Sequence, residues 1–313
     1  MEFDAKLKRE IIGQAVNETA YLAGIINVLG KIVTTKEIDN LYITHTMYEI
    51  ALDAVRIIKN LYKRAEIEMT FEEPHGAKKV RGYVVIVDNK VTKDILRDFN
   101  LVAIEDGLEF RNNKIDKIVE DNDRLSYLQG VFLGKGRVFL PVNDNNYKKL
   151  ISYQLEMVLA SRKQLEFIKE ISNKLELDIK DSERRDNYIL YIKDSEKISD
   201  FLALMGASEA VLELQSLIIE RDVRNNANRA VNCNVANISK AIDAAEKQIE
   251  AIRIIEKRQG LSVLDDKLQE LARVRLENPE ATLTDLAEML EDRVTKSGIN
   301  HRMRKLMQIA YND

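Results

Sequence analysis

Tryptophan is absent, proline occurs three times, glycine twelve times and cysteine once in 313 residues. The lone Cys233 excludes an internal disulfide and any cysteine-based zinc finger, and a single thiol of this kind is expected as a small buried apolar residue rather than a reactive group. Scarce proline and glycine beside 32% charged residues favour long, charge-studded helices joined by short connections. No apolar run approaches the ~20 residues that a membrane span needs. The stretch MEFDAKLKREIIGQ is mixed in charge and has no apolar core followed by a cleavage site, so no signal peptide and no membrane partner are expected, and the chain is read as cytoplasmic. An excess of one charge sign is missing too. The net charge of −4 excludes a polycation and leaves any nucleic-acid binding to a local basic surface. What is present is 45% apolar residues, enough for real cores, in a chain long enough for two domains.

The first 220 residues alternate helical and strand-like patterns. Apolar spacing predicts helices over 18–30, 47–64 and 92–100, the last with a threonine cap at Thr92. Strands are expected over 65–72 and 83–88, with EPHG as the turn between them. A second set follows: helix 124–136, strand 153–160, helix 161–175, strands 176–183 and 187–194, helix 196–206. Gly30 and Gly136 close the two apolar helices, Asp88 and Asp194 end matching strands, and each pair is separated by 106 residues. An internal duplication with repeats of about 1–110 and 111–220 explains this, giving one pseudo-symmetric domain. Residues 221–260 form an Arg/Asn-rich segment and a linker helix ended by Gly260. Residues 261–313 carry no strand signal and are expected as a compact helical domain.

The stretch LSYLQGVFLGKGRV (125–138) places three glycines and a lysine in an apolar run. A phosphate-binding loop needs four residues between its first glycine and the Gly-Lys pair, then Ser or Thr. Here only three residues separate Gly130 from Gly134, and Lys135 precedes Gly136. LAGIINVLG (22–30) and LQGVFLGKG (128–136) instead resemble the signature of the LAGLIDADG homing endonucleases. That resemblance implies two αββαββα halves whose signature helices pack together, with Ala23, Gly24, Gly130 and Gly134 allowing close approach. Those nucleases carry a metal-binding acidic residue at the eighth position, and Leu29 and Lys135 stand there instead. The sixth positions, Asn27 and Leu133, restore no carboxylate pair. A leucine offers no ligand oxygen and an ammonium repels a cation. Catalytic residues, metal and cofactor are therefore all expected to be absent, and with them metal-dependent cleavage.

ATLTDLAEMLEDRVTKSGINHRMRKLMQIA (281–310) has the pattern of a helix-turn-helix. Thr282 or Thr284 can cap its first helix, whose inward stripe is Leu286, Ala287 and Leu290. The second helix should start near 295–297, with Ile299, Met303, Leu306 and Ala310 inward. That phase directs Ser297, Asn300, His301, Arg304 and Lys305 outward and leaves Arg302 at the margin. Between Arg293 and Asn312 no residue is acidic, while Arg293, Lys296, Arg302, Arg304 and Lys305 are basic. Arg can pair with guanine edges, Asn with adenine edges and Lys with phosphates. A solvated basic face on an ordinary three-helix domain is the alternative. His301 is not expected to bind metal, since His45 and His75 lie in the other domain and no cysteine pair exists. The segment RDVRNNANR either contacts DNA backbone through Arg221, Arg224, Asn225, Asn228 and Arg229 or is a polar hinge bonding to nearby backbone.

The run ERDVRNNANRAVNCNVANISKAIDAAEKQIEAI, with GLSVLDDKLQELARVRLENPEATLTDLAEML and KSGINHRMRKLMQIA, is similar to the WhiA family of sporulation and cell-division regulators. The resemblance covers nearly the whole chain and is strongest from about residue 200. It implies an α+β fold, a degenerate LAGLIDADG-like domain followed by a helix-turn-helix domain. It also implies a nucleoid-associated DNA-binding protein acting in transcription of division or developmental genes, with links to chromosome segregation. Double-stranded DNA would be its main partner and another transcription or division protein a second one. Family members usually carry GS after each apolar helix, where this chain has GKI and GRV.

Overall fold

The computed structural model of the protein describes residues 2–35, 38–73, 82–105, 107–111, 118–141, 152–184, 187–292 and 294–311. The EPHG turn (from Pro74 on), His75, Arg293 and Asn312 lie outside them. The chain divides into two compact units, Met1–Ile219 and Glu220–Asp313.

In the first unit, α2 (Glu18–Leu29), β1 (Gly30–Thr35), β2 (Ile38–His45), α3 (Tyr48–Leu61), β3 (Ile67–Glu72), β4 (Gly82–Val87) and α4 (Asn89–Asp98) follow α1 (Glu2–Ile11). The hairpin β5 (Leu101–Ile104) and β6 (Gly107–Phe110) leads to a second series. This is α5 (Asp121–Lys135), β7 (Gly136–Phe139), β8 (Gln154–Leu159), α6 (Arg162–Lys174), β9 (Lys180–Arg184), β10 (Asn187–Ile192) and α7 (Ser195–Leu204). Both series are αββαββα, and their antiparallel sheets share one order, β1-β2-β4-β3 and β7-β8-β10-β9. The duplication extends to cap chemistry. Asp88 accepts from the backbone N–H of Lys90 and Val91, and Asp194 accepts from Glu196 and Lys197.

Helices α2 and α5 are buried on every side from Ala20 to Val28 and from Ser126 to Gly134, as these mostly apolar runs require. Their backbones touch at the paired glycines. A Cβ on Gly24 would lie 2.2 Å from the Tyr127 carbonyl oxygen, and one on Gly130 2.2 Å from the Tyr21 carbonyl oxygen. At Gly134 the obstacle is side chain, Val28 Cγ2 at 2.6 Å. The helix N-termini are tied as well. Asn17 caps α2 by accepting from Thr19 and Ala20, while its amide donates to Asp123 at 2.7 Å.

Several elements differ from the sequence expectation. The cap of α4 is Asp88, not Thr92. Thr92 is buried, accepts from the Leu41 N–H at 2.9 Å and donates to the Val87 carbonyl at 3.1 Å, so it fastens α4 to the sheet. Strands β1, β2 and β7 and helix α1 carried too weak a pattern to be named. Burial falls on only part of each, such as Leu41 and Ile43 in β2 and Leu7 and Ile11 in α1. The Arg/Asn segment and the linker helix form one helix, α8 (Ser208–Gln259), closed by Gly260 at φ +74°. Cys233 is exposed on it rather than buried.

The second unit continues α8 through a 3-10 turn (Leu261–Val263) into α9 (Asp266–Glu277), α10 (Leu283–Met289) and α11 (Lys296–Tyr311). Its core joins Leu268, Leu271, Leu286, Ile299, Met303 and Leu306 to Ala251, Ile252 and Ile255 of α8, so packing starts before residue 261. Arg275 is sealed in this unit. It donates to Gln248 Oε1 at 2.8 and 3.0 Å and to the Ala281 carbonyl at 2.6 Å. No helix among the described residues is long and apolar enough to cross a membrane.

Candidate nucleic-acid interface

Helix α10 begins with a reciprocal capping box. The Thr282 hydroxyl accepts from the Asp285 N–H at 3.2 Å, and the Asp285 carboxylate accepts from the Thr282 N–H at 2.8 Å. That bonding holds the Asp285 carboxyl below the usual range. Thr282 is therefore the cap, and Thr284 stands exposed in the first turn. Helix α11 starts after Thr295, whose hydroxyl accepts from the Gly298 N–H at 3.3 Å. Its inward face is Ile299, Met303, Leu306 and Ala310, the four residues the spacing selects.

Lys296, Ser297, Asn300, His301, Arg304 and Lys305 are exposed on the other side of α11. They divide into two groups. Lys305 pairs with Asp265 at 3.1 Å, and Arg302, half-buried, makes a forked pair with Asp292 at 2.5 and 3.0 Å. Lys267 is the second cation on Asp292, at 3.4 Å. Together these hold the Asp292 carboxyl down at about 2, Arg302 being the larger cause. Arg302 thus fastens α11 to the turn before it. Lys296, Ser297, Asn300, His301 and Arg304 form no ion pair among the described residues. Neither Asp292 nor Asp265 was singled out in the sequence, because their partners on α11 are set by tertiary packing; Asp265 and Lys305 are 40 positions apart.

On α8, Arg221, Arg224, Asn225 and Asn228 recur at i, i+3, i+4 and i+7 and so share one face. Arg229 sits beside it and donates to Asn226.

In the first unit the eighth signature positions have lost any resemblance to a cation site. Leu29 is half-buried and Lys135 ends α5 at the surface. Desolvation, then the neighbouring Arg137, lowers the Lys135 ammonium pKa. Buried Lys8 lies 3.8 Å from Asp4, and His45 is pushed down to about 4 by burial and then by Lys8, with Lys135 and Arg137 adding to it. Asn27, at the sixth position, is inside the core. Its amide donates to the Leu108 carbonyl at 3.1 Å and its oxygen accepts from the Tyr127 hydroxyl at 2.9 Å. Among the described residues no group of three His, Cys, Asp or Glu side chains is placed to hold a metal.

Three family descriptions match the chain in succession. The WhiA N-terminal LAGLIDADG-like domain matches residues 16–102, the WhiA LAGLIDADG-like domain 124–224, and the WhiA C-terminal HTH domain 227–310. A probable cell division protein WhiA from Clostridium acetobutylicum is 34% identical over 322 residues, covering 99% of this chain and 98% of its own. Its counterpart in Staphylococcus aureus is 35% identical over 317 residues, covering 99% and 96%. The crystal structure of full-length DUF199/WhiA from Thermatoga maritima aligns with a TM-score of 0.56 at 23% identity, covering 98% of this chain and 97% of that one. With the duplicated αββαββα unit, the helix-turn-helix and full-length identity above 30%, the chain belongs to the WhiA family.

Proposed function

We propose that this chain is a non-enzymatic regulator that reads double-stranded DNA through α11 and acts on transcription in cell division and chromosome segregation, and on sporulation in species that sporulate. Its place in the cell is the cytoplasm, in association with the nucleoid. One observation carries the reading: Lys296, Ser297, Asn300, His301 and Arg304 share the solvent side of the second helix of a helix-turn-helix, with no acidic side chain among them. Arg304 and Asn300 suit base edges, while Lys296 and the α11 N-terminus suit phosphate. Thr284, exposed on α10, is a further contact in this reading, and Arg302 and Lys305 set the geometry of α11 through Asp292 and Asp265. The Arg221, Arg224, Asn225, Asn228 and Arg229 surface of α8 is a second, backbone-directed contact in this reading. The names of the relatives support the division role. The loss of both signature carboxylates at Leu29 and Lys135 supports the absence of cleavage.

The test is genomic-fragment selection by the full chain, followed by gel shifts across a salt series. Arg304→Ala and His301→Ala should lose specific binding more than nonspecific binding, and affinity should fall steeply with salt. Equal binding to every sequence by wild type and both variants would overturn the reading. It would favour an adaptor of the division machinery, a role consistent with the net charge of −4. Plasmid nicking with magnesium would restore the nuclease.

A further inference from the structure

Three cations and a neutral imidazole meet in the first unit with one carboxylate among them. Lys8 comes from α1, His45 from the end of β2, and Lys135 and Arg137 from the junction of α5 with β7. The Asp4 carboxylate accepts from the Val138 N–H at 3.0 Å and so holds α1 against β7, beside Arg137. Lys8 stands one turn further along α1 and is only 5% exposed. It acts on His45, and Lys135 and Arg137 act on both, so the four groups lie within electrostatic reach of one another.

The group is rich in donors and poor in acceptors. Burying an ammonium is costly unless it is paired and hydrogen-bonded. Yet the ion-pair partner of Lys8 among the described residues, Asp4, is 3.8 Å away, beyond hydrogen-bond length. His45 Nδ1 accepts from the Met47 N–H at 3.0 Å, so the neutral ring carries its proton on Nε2, which has no acceptor among the described residues. Lys135 and Arg137 are exposed and form no ion pair among the described residues. Glu156 stands opposite Arg137 across the β7–β8 pair, but it accepts from Gln154. The other charges of α1 are used elsewhere. Lys6 pairs with Glu2 and Arg9 with Glu49, while Glu10 accepts from the N–H groups of Glu209 and Ala210. Burial and mutual repulsion lower the ammonium pKa of both Lys8 and Lys135, a strain that a bound anion would relieve. Three positive charges against Asp4 leave an excess of two, with Lys8 and His45 buried and Lys135 and Arg137 open to solvent. A guanidinium offers a fork to an oxyanion, an ammonium a point charge and the imidazole a directed N–H. Two unbalanced charges match a phosphate dianion, whereas each diester of a nucleic-acid backbone carries one.

We propose that Lys8, His45, Lys135 and Arg137 bind a phosphate dianion, presented as inorganic phosphate or as the terminal group of a small phosphate monoester. The inference does not depend on what α11 reads.

Titration of the full chain with inorganic phosphate at pH 8 and constant ionic strength tests it, with the His45 imidazole resonance as the readout. That resonance is identified by its loss in His45→Gln. It should shift saturably with phosphate, and the melting temperature should rise over the same concentrations. Lys8→Met should raise the dissociation constant at least about tenfold, because it removes a charge-assisted bond from a buried donor. Joint Lys135→Gln and Arg137→Gln changes only exposed positions, leaves the core intact and should weaken binding at least as much, so the test survives a Lys8→Met chain that does not fold. Methyl phosphate should bind like inorganic phosphate. Dimethyl phosphate, a monoanionic diester, should bind at least about tenfold more weakly, and a short DNA duplex should not displace phosphate from His45. Absence of a saturable shift, or equal phosphate affinity in wild type and the double variant, would overturn the site. Dimethyl phosphate or duplex competing on equal terms would overturn the assignment to a dianion and give the cluster to a nucleic-acid backbone.

Discussion

Gly130→Ala adds one methyl group at the point where α2 and α5 meet, and its cost can be worked out from the backbone. The new Cβ would lie 2.2 Å from the Tyr21 carbonyl oxygen and 2.9 Å from the Ile25 nitrogen. An ordinary close C···O approach is about 3.3–3.6 Å, so the helices must part by about 1 Å. A gap of that size forfeits a quarter to a half of each dispersion contact it opens. The seam it opens includes Tyr21, Leu22, Ile25, Tyr127, Leu128 and Val131, all fully buried. Because the obstructing atoms are backbone inside a packed core, no rotamer change relieves them. Overpacking costs typically 1–3 kcal/mol and sometimes more, against about 1 kcal/mol regained from replacing glycine inside a helix. Because the obstacle is backbone, the cost falls at the upper end of that range and the expected net loss is about 2 kcal/mol. Urea unfolding followed by far-UV circular dichroism reads it as a midpoint lowered by about 1 M, for a slope of about 2 kcal/mol per M. Gly134→Ala is the internal comparison: it meets the side chains of Val28 and Leu29, which can shift, and should cost less. Stability of Gly130→Ala equal to or above wild type would refute the close-packed seam.

In the second unit, Arg275→Ala removes charged hydrogen bonds to Gln248 and the Ala281 carbonyl and leaves the first acceptor buried and the second half-buried. A loss of about 3 kcal/mol is expected, checked by thermal unfolding. Asp292, held near 2 in the folded protein against an ordinary 3.8, contributes stability above about pH 4 and loses it as pH falls through about 2. The melting temperatures of wild type and Asp292→Asn should therefore converge over that window, and a constant gap would contradict the pairing. His45, depressed from 6.5 to about 4, must stay neutral to remain folded in place, so its contribution is present above pH 6.5 and declines as pH falls toward 4. Its imidazole resonance should titrate near pH 4 and move upward in Lys135→Gln.

Local pattern made much of this protein legible. Two nine-residue signatures, a constant offset of 106 residues and matching aspartates disclosed the duplicated first unit. The four, three, four spacing of Ile299, Met303, Leu306 and Ala310 fixed which side of α11 faces outward. Strands β1, β2 and β7 escaped because they are short or only partly buried, so alternation is diluted. Thr92 was misjudged because a threonine near a helix start can cap it or bond elsewhere, and only the position of the Leu41 N–H decides between them. Cys233 was placed inside on residue type, whereas the surface α8 presents is set by what packs against that helix.

The sequence alone determined which helices are apolar all round, that both metal-binding acids are missing at Leu29 and Lys135, and that the last helix carries a basic, acid-free side. Those properties reside in residue identity and periodicity. Only the tertiary structure decided that Arg302 and Lys305 are engaged by Asp292 and Asp265 while Arg304 is not, that Asn27 is a core hydrogen-bonding residue, and that the second unit's helix-turn-helix core borrows Ala251, Ile252 and Ile255 from α8. Each of these depends on groups far apart in the chain coming within about 3 Å, a distance that no local spacing encodes.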